Sequence, residues 1–449
     1  MIIRKEADMD VTTSYAVELL HFKNAAMATI RIYRNAVSFL VNAAEKEWSS
    51  LREIPVANAR MNYLQALIHT TKNHIAVYDF DSAFPKMPAY LRRNAIITAI
   101  GAVSSYHSNY DSWVLDGKVG NPPKLTADRF LMPCFYRDNM YLGDLSSDTA
   151  YLKLFVGNDW IWYPVRLKHT DMQYLRKYWT GVKCSAPTIE KRHGRWFLRF
   201  AFQTKVALSN TPIQDQRICS VDLGINTDAV CSIMESDGTV LLRKFIDFPS
   251  DKDYLRHELN RLKKFQRQNG SRNAGSRWSS IKRHNIEHGR KVGKAIADFA
   301  ASYNCDVIVF EHLDTGGYKI KGSKKQRLHL WRKNAIQDVA STRAHLYGMR
   351  ISRICAWGTS KLAYDGSGVL ERDPKNHQLA TFQNGKHYNA DLSASYNIGA
   401  RYFIREMLKP LSVKIRSQLL AKVPEAEHRT SCTYHTLLDF SKELKALTA

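Results

Sequence analysis

Two short β-branched runs in this chain each finish on a carboxylate: SVDLGIN carries Asp222 and DVIVFEHL carries Glu311. Runs of Val, Ile and Phe belong in a packed sheet, and a charge at their end must be paired, bound to a cation or turned to water. A third acid, Asp391, opens DLSASYNIGA, whose pattern predicts a helix. Hard Mg²⁺ ions take such oxygen ligands, a few carboxylates completed by water and substrate phosphate, and metal-dependent nucleic-acid cleavage needs that arrangement. Each residue also has an ordinary reading: a turn former ahead of Gly224 for Asp222, a solvent-facing strand end for Glu311, and a helix N-cap for Asp391. Their order, spacing and element types favour the catalytic reading over three separate ordinary ones.

From Ile218 the segments SVDLG, DAVCSIM and TVLLRKFIDF predict a three-stranded meander. A long basic helical stretch follows, then a helix at EHGRKVGKAIADFAASY, strand DVIVFE, a glycine-containing loop, a helix at LWRKNAIQDVASTRAHLYG, strand RISRICAW and the helix from Asp391. A meander followed by alternating helices and strands predicts an α/β domain of the RNase H-like kind, with the acids converging at the sheet centre. Ahead of it, residues 13–119 show helical spacing, as at Ile30, Tyr33, Val37 and Leu40, and the first twenty residues predict a short strand and a capped helix. After Pro122 and Pro123, the segments FLMPCFYRDNMYL, YLKLFV, DWIWYPVRL, APTIEKR and RWFLRFAFQ predict a small, mostly antiparallel β-barrel ending near Ser209. Trp160, Trp162, Tyr163, Tyr174 and Tyr178 are assigned to that barrel, most to packing and a minority to stacking on bases.

The chain has 449 residues and a formal charge of +24, with a pI near 9.7, which points to a polyanionic partner. Nucleic acid fits better than a membrane, because no apolar stretch has spanning length and no signal segment opens the chain. Between Arg256 and Lys294 twelve Lys or Arg stand against two Glu. Arg256, Arg261, Lys263, Lys264, Arg267, Arg272, Arg277, Lys282 and Arg283 occupy several helical faces there. Solvated helices usually mix signs, whereas one-signed charge suits a phosphate backbone. The loop from Thr315 to Lys333 adds seven cations and no acid, among them Lys319, Lys321, Lys324, Lys325 and Arg327, and its glycines suit a mobile strap over a groove. Seven dispersed cysteines without a CxxC pair indicate a reducing cytosol and no zinc ribbon. His312, His377 and His387 lack metal-ligand spacing and read as exposed or structural.

With these segments in place, the chain resembles the TnpB family of transposon-encoded RNA-guided DNA nucleases, relatives of the miniature type V CRISPR effectors. SVDLGIN resembles that family's first RuvC motif, VIVFEHL the second and NADLSASYNIGA the third. The likeness covers roughly residues 210–405, including the step at Thr359 and Ser360; the front half matches in architecture alone. It implies a wedge-like barrel from 1–12 and 120–212, a helical recognition domain over 13–119, a RuvC-like nuclease domain over 213–410 and a C-terminal extension, 411–449, without an assigned role. The nuclease domain would contain the basic helical segment 251–294 and a degenerate ribbon, 355–390. The implied catalytic and Mg²⁺-binding residues are Asp222, bridging two ions, with Glu311 and Asp391. The implied partners are a guide RNA and double-stranded target DNA bearing a short flanking motif, in a bacterial cytosol, with monomer and homodimer both open. One departure is sharp: the family's two CxxC pairs fall here on Ala363, Gly366, Thr381 and Asn384, so a tetrahedral zinc site is not expected and packing and hydrogen bonds must hold the segment. An RNA-guided repressor without cleavage and a strand-transfer transposase are the competing readings, the first of which is expected to have lost its acidic triad.

Overall fold

The computed structural model describes residues 8–72, 74–126, 130–270, 274–312 and 330–448. Two compact units divide the chain, one of residues 12–204 and one of residues 1–11 with 205–449. No described helix is long and apolar enough to cross a membrane, and all seven cysteines are free.

In the unit of residues 12–204, the helices Met27–Lys46 and Ala89–Leu115 pack Ile30, Tyr33, Val37 and Leu40 against Leu91, Ala95, Ile96 and Val103. A seven-stranded sheet runs in the order Tyr141–Leu142, Thr149–Val156, Asp159–Leu167, Asp8–Leu20, Arg195–Ala207, Lys183–Cys184, with Thr188–Arg192 paired on Arg195–Ala207. Three expectations need correction. Residues 13–20 are strand, because Val17 and Leu19 bury alternate positions and the β-branched Val11, Thr12 and Thr13 favour extension. Of FLMPCFYRDNMYL, only Tyr141–Leu142 is strand: Pro133 lacks a donor for a ladder, and Asp138, at a φ of 62°, turns the chain. Tyr174 and Tyr178 lie on a helix, His169–Trp179, where their spacing of four sets both rings on one exposed face with centroids 4.8 Å apart.

The second unit holds a five-stranded mixed sheet in the order Val240–Ile246, Ala229–Glu235, Arg217–Leu223, Val307–His312, Arg350–Cys355. The first three pair antiparallel, and the last two run parallel to Arg217–Leu223 or to each other. The central runs are buried on both faces, so they read as near-continuous apolar segments. One face, with Cys219, Val221, Ile308 and Phe310, takes the helices Gly275–Ser302 and Lys333–Leu346. The other, with Ile218, Val307, Val309 and Ile354, takes the helix Ala390–Leu408 and the two helices after it, Val413–Lys422 and Tyr434–Thr448.

Two glycines permit these close approaches. A Cβ on Gly293 would lie 2.6 Å from the Ile336 carbonyl oxygen, so the helix pair on the first face needs a bare backbone there. A Cβ on Gly399 would lie 2.4 Å from Met234 Sδ, so glycine lets the helix Ala390–Leu408 rest on the sheet without displacing the Met234 side chain.

The basic stretch forms two helices, Pro249–Asn269 and Gly275–Ser302, rather than one continuous rod. They clasp through a small core of Leu262, Ala274 and Ile281, with Leu255, Leu259, Phe265 and Trp278 around it. The segment predicted as a zinc-free ribbon is a three-stranded sheet of Glu371–Arg372, Leu379–Thr381 and His387–Asn389. Ala363, Leu370, Ala380, Phe382 and Ala390 form its core, flanked by Tyr364 and Tyr388. Asn384 Nδ2 donates to Asp365 Oδ2 at 2.9 Å, and Lys386 Nζ lies 4.8 Å from the Tyr364 ring centroid. Packing and polar contacts thus span the four positions where thiolates would sit.

Candidate active site

Strand periodicity decides which face each acid joins. Asp222 continues the series Ile218, Ser220, and Glu311 continues Val307, Val309, so both carboxylates share the face covered by the helix Ala390–Leu408. They stand on adjacent parallel strands, one residue past the pair Phe310 and Val221. The helix brings the third acid by a matching of repeats. One helical turn of four residues rises about 6 Å and two strand residues advance about 6.6 Å, so each turn keeps step with every second strand residue. Gly399 rests on Met234, and Ser395 shares a 2.6 Å hydroxyl contact with Ser232. One turn further, Asp391 falls toward Val230, whose pairing partner is Asp222.

The ordinary readings of the acids do not hold. Asn389, not Asp391, caps the helix: its Oδ1 accepts from Leu392 N at 2.8 Å. Asp222 and Glu311 are only 8% and 7% exposed, which removes the solvent-facing reading of Glu311. The turn after Asp222 is closed by backbone, with Gly224 N donating to Asp228 O at 3.3 Å. Among the described residues the Asp222 carboxylate has neither a hydrogen bond nor an ion pair.

Burial dominates the electrostatics of the three acids. Burial, and then the charges of Glu311 and Asp391, hold the Asp222 carboxyl well above the usual carboxylate range, with Arg372 pulling the other way. Burial raises Glu311 as well, against the Thr359 hydroxyl that donates to its Oε1 and the charge of Arg401. Burial raises Asp391 against Arg372, whose Nη1 lies 3.5 Å from Asp391 Oδ1. Three carboxylates, of which only Asp391 has an ion pair among the described residues, are a donor set suited to a hard divalent cation. Among the described residues no three Asp, Glu, His or Cys side chains are yet gathered as a ligand cage. Glu311 is engaged by Thr359 and Asp391 by Arg372.

Sequence reasoning passed over three supports. Arg372, in the three-stranded insert, also donates from Nη1 to the His377 carbonyl at 2.9 Å. Asp228 anchors the turn after Asp222: it accepts from His288 Nε2 at 3.0 Å and from Phe248 N at 3.1 Å, and pairs with Lys252 at 3.2 Å. Burial pushes Asp228 up, but His288, Lys252 and the Phe248 amide outweigh it and hold the carboxyl below its ordinary value. Asn397 ties the insert to the helix by donating to Thr359 O and Leu362 O at 3.1 and 2.9 Å. The Asp six residues past Asp222 in SVDLGINTD was the one available signal; Arg372 and Asn397 carried none.

Of the cations singled out, Arg256, Arg261, Lys263, Lys264, Arg267, Arg277, Lys282 and Arg283 are all exposed. Arg256 pairs with Asp253 at 3.0 Å and Arg261 with Glu258 at 2.8 Å, while Arg277 sits 4.8 Å over the Phe265 ring. A cavity of about 590 Å³ lies between these helices and the turn after Asp222, lined by Arg256, Leu259, Lys263, Asn226 and Trp331 among others. Arg272, Lys319, Lys321, Lys324, Lys325 and Arg327 lie outside the described residues. His312, His377 and His387 are exposed.

The Aq_aa04 family matches residues 12–156. No curated protein matches the chain in sequence. Among solved structures, the chain is similar to a Cas12f1–sgRNA–target DNA complex at 13% identity, covering 86% of this chain and 98% of that one, with a TM-score of 0.33. It is similar to the mini-RNA-guided endonuclease CRISPR-Cas_phi3 at 11% identity, covering 88% and 92%, with a TM-score of 0.48. It is also similar to CasPhi-2 (Cas12j) bound to crRNA at 8% identity, covering 86% and 97%, with a TM-score of 0.41.

Proposed function

We propose that this chain is an RNA-guided DNA endonuclease of the TnpB type, cutting through an RNase H-like, RuvC-type centre formed by Asp222, Glu311 and Asp391. The observation that carries the reading is Asp222 itself, a buried carboxylate without a partner among the described residues, beside two more carboxylates. A cation-free protein gains nothing from such a cluster, whereas a metal-dependent phosphodiesterase requires it. The five-strand order, the face shared by the three acids and the exposed cations on the adjoining helices support the same conclusion.

The three carboxylates would hold two Mg²⁺ ions, which supply Lewis acidity toward a phosphoryl oxygen and a water acidic enough to attack at neutral pH. The chain's own groups prepare the site. Thr359 orients Glu311 through its hydroxyl, and Arg372 holds Asp391 until a cation replaces it. Asp228 keeps the turn after Asp222 bound to His288 on the basic helix Gly275–Ser302. A guide RNA would lie along the basic helices, neutralised by cations such as Lys263, Lys264 and Arg267, and sequence reading would pass to base pairing with target DNA bearing a flanking motif. In this reading residues 1–12 and 120–212 form the wedge, 13–119 the recognition domain and 213–410 the nuclease, and the insert needs no zinc.

The test is to sequence RNA that copurifies with the protein and to incubate the complex with labelled complementary DNA and Mg²⁺. Cleavage by the wild type, lost in Asp222→Ala with RNA-dependent DNA binding retained, supports the function. Cleavage by that variant refutes the site, and absence of a discrete bound RNA refutes guidance.

A further inference from the structure

The helix Val413–Lys422 and the segment 426–432 after it help to enclose a cavity of about 550 Å³ against the edge strand Arg350–Cys355. Arg353, Arg401, Arg405, Lys409, Arg416 and Arg429 line it, with Glu427 the single acid among its lining residues, over a floor of Ile354, Ile404, Leu408 and Ala426. Glu406 serves both Arg405 and Lys409, at 2.8 and 2.7 Å. Arg416 and Arg429 are exposed and have no ion pair among the described residues. Arg401 is 4% exposed, yet its guanidinium meets only backbone carbonyls: Cys432 and Thr430 on the extension, Cys355 and Trp357 beyond the edge strand. Its charge is shared with Glu311, so the cations left for an incoming anion are those that face the cavity without an ion pair among the described residues, Arg416 and Arg429.

The position matters as much as the charge. His312, the residue after Glu311, lines the same cavity and pairs in register with Cys355. Cations spread around several hundred cubic ångströms, over an apolar floor, suit a chain of phosphates carrying sugars and bases better than one compact anion. We propose that this cavity seats the sugar–phosphate backbone of a single nucleic-acid strand beside the cleavage centre, and that residues 411–432 serve to build it. That the strand is one the nuclease cuts rests on the function proposed above; the site does not.

The experiment measures binding of a fluorescent oligothymidylate to the full chain in chelator across a salt series. The double variant Arg416→Gln/Arg429→Gln removes two exposed charges and is expected to melt as the wild type does. Losing two phosphate contacts lowers the slope of log K against log salt by about 1.4 and weakens binding about 25-fold near 0.1 M salt. Lys414→Gln/Lys442→Gln removes equal charge outside the cavity and leaves the slope unchanged. An unchanged slope in the first pair, an equal fall in both pairs, or displacement of the oligonucleotide by micromolar inorganic phosphate overturns the proposal. A reduced slope without any guided cleavage sinks the nuclease reading and leaves this site standing; guided cleavage with an unchanged slope does the reverse.

Discussion

Asp222→Asn keeps the shape of the side chain and deletes its charge, and the structure sets the sign of the effect on stability. In metal-free protein the wild-type carboxylate is 8% exposed, has no hydrogen bond among the described residues and lies near two other acids. An uncompensated buried ion costs several kcal/mol after relaxation, part of which the protein avoids by retaining a proton, so the Asn variant should be more stable by about 1–4 kcal/mol. At about 2–4 °C per kcal/mol for a unit of this size, its melting point should rise by roughly 2–16 °C. The folded-state pKa of Asp222 lies above its unfolded value near 3.9, so the folded state binds more protons between the two. Wild-type stability therefore falls as pH climbs through that window, and the gap to the variant opens with pH. Thermal melts in EDTA at about pH 5 and about pH 8 read this directly. Saturating Mg²⁺ at a hundred times its Kd should return about 2.7 kcal/mol to the wild type and little to the variant. A variant less stable than wild type in EDTA, or equal Mg²⁺ shifts in both proteins, refutes the reasoning.

Gly399→Ala forces a Cβ against Met234 Sδ and should cost about 1–3 kcal/mol, because the buried Met234 side chain must repack beneath the helix that carries Asp391; urea melts check it. Asp228→Ala leaves His288 Nε2 and Phe248 N without their acceptor, while Lys252 keeps Asp247, and should destabilise by about 1–3 kcal/mol in urea melts, with Asp228→Asn milder since it keeps the amide contact to Phe248. Phe382→Ala empties the core of the three-stranded insert and should open residues 363–389 to protease at a cost of about 3–5 kcal/mol. A zinc-selective chelator should leave the wild-type insert as protease-resistant as before.

The face shared by Asp222 and Glu311 was legible because it follows from local periods. Alternation along VIVFE and SVD puts Glu311 and Asp222 on one face, and helical spacing after Asp391 supplies the covering element. The meander and the later parallel strands were readable for the same reason. Arg372, Asn397 and Arg401 were not, because each acts through partners that only tertiary folding brings near, such as the carbonyls of His377, Leu362 and Cys432. The strand Asp8–Leu20 was half missed since the residues of its other face, the half-buried Ala16 and Glu18 among them, fit a helix equally well until Val17 and Leu19 are seen buried in alternation. The basic stretch was read as one helical segment; Gly270, at a φ of 73°, ends the first helix, and the two helices pack around Leu262 and Ile281.

The central claim is that Asp222, Glu311 and Asp391 together bind divalent cations. Titrating Mn²⁺ into the full chain and counting free ion by electron paramagnetic resonance tests it without any guide or substrate. Saturable binding by the wild type that disappears in Asp222→Asn, while the variant stays folded, is the predicted result. Equal binding by both proteins, or none by either, contradicts it.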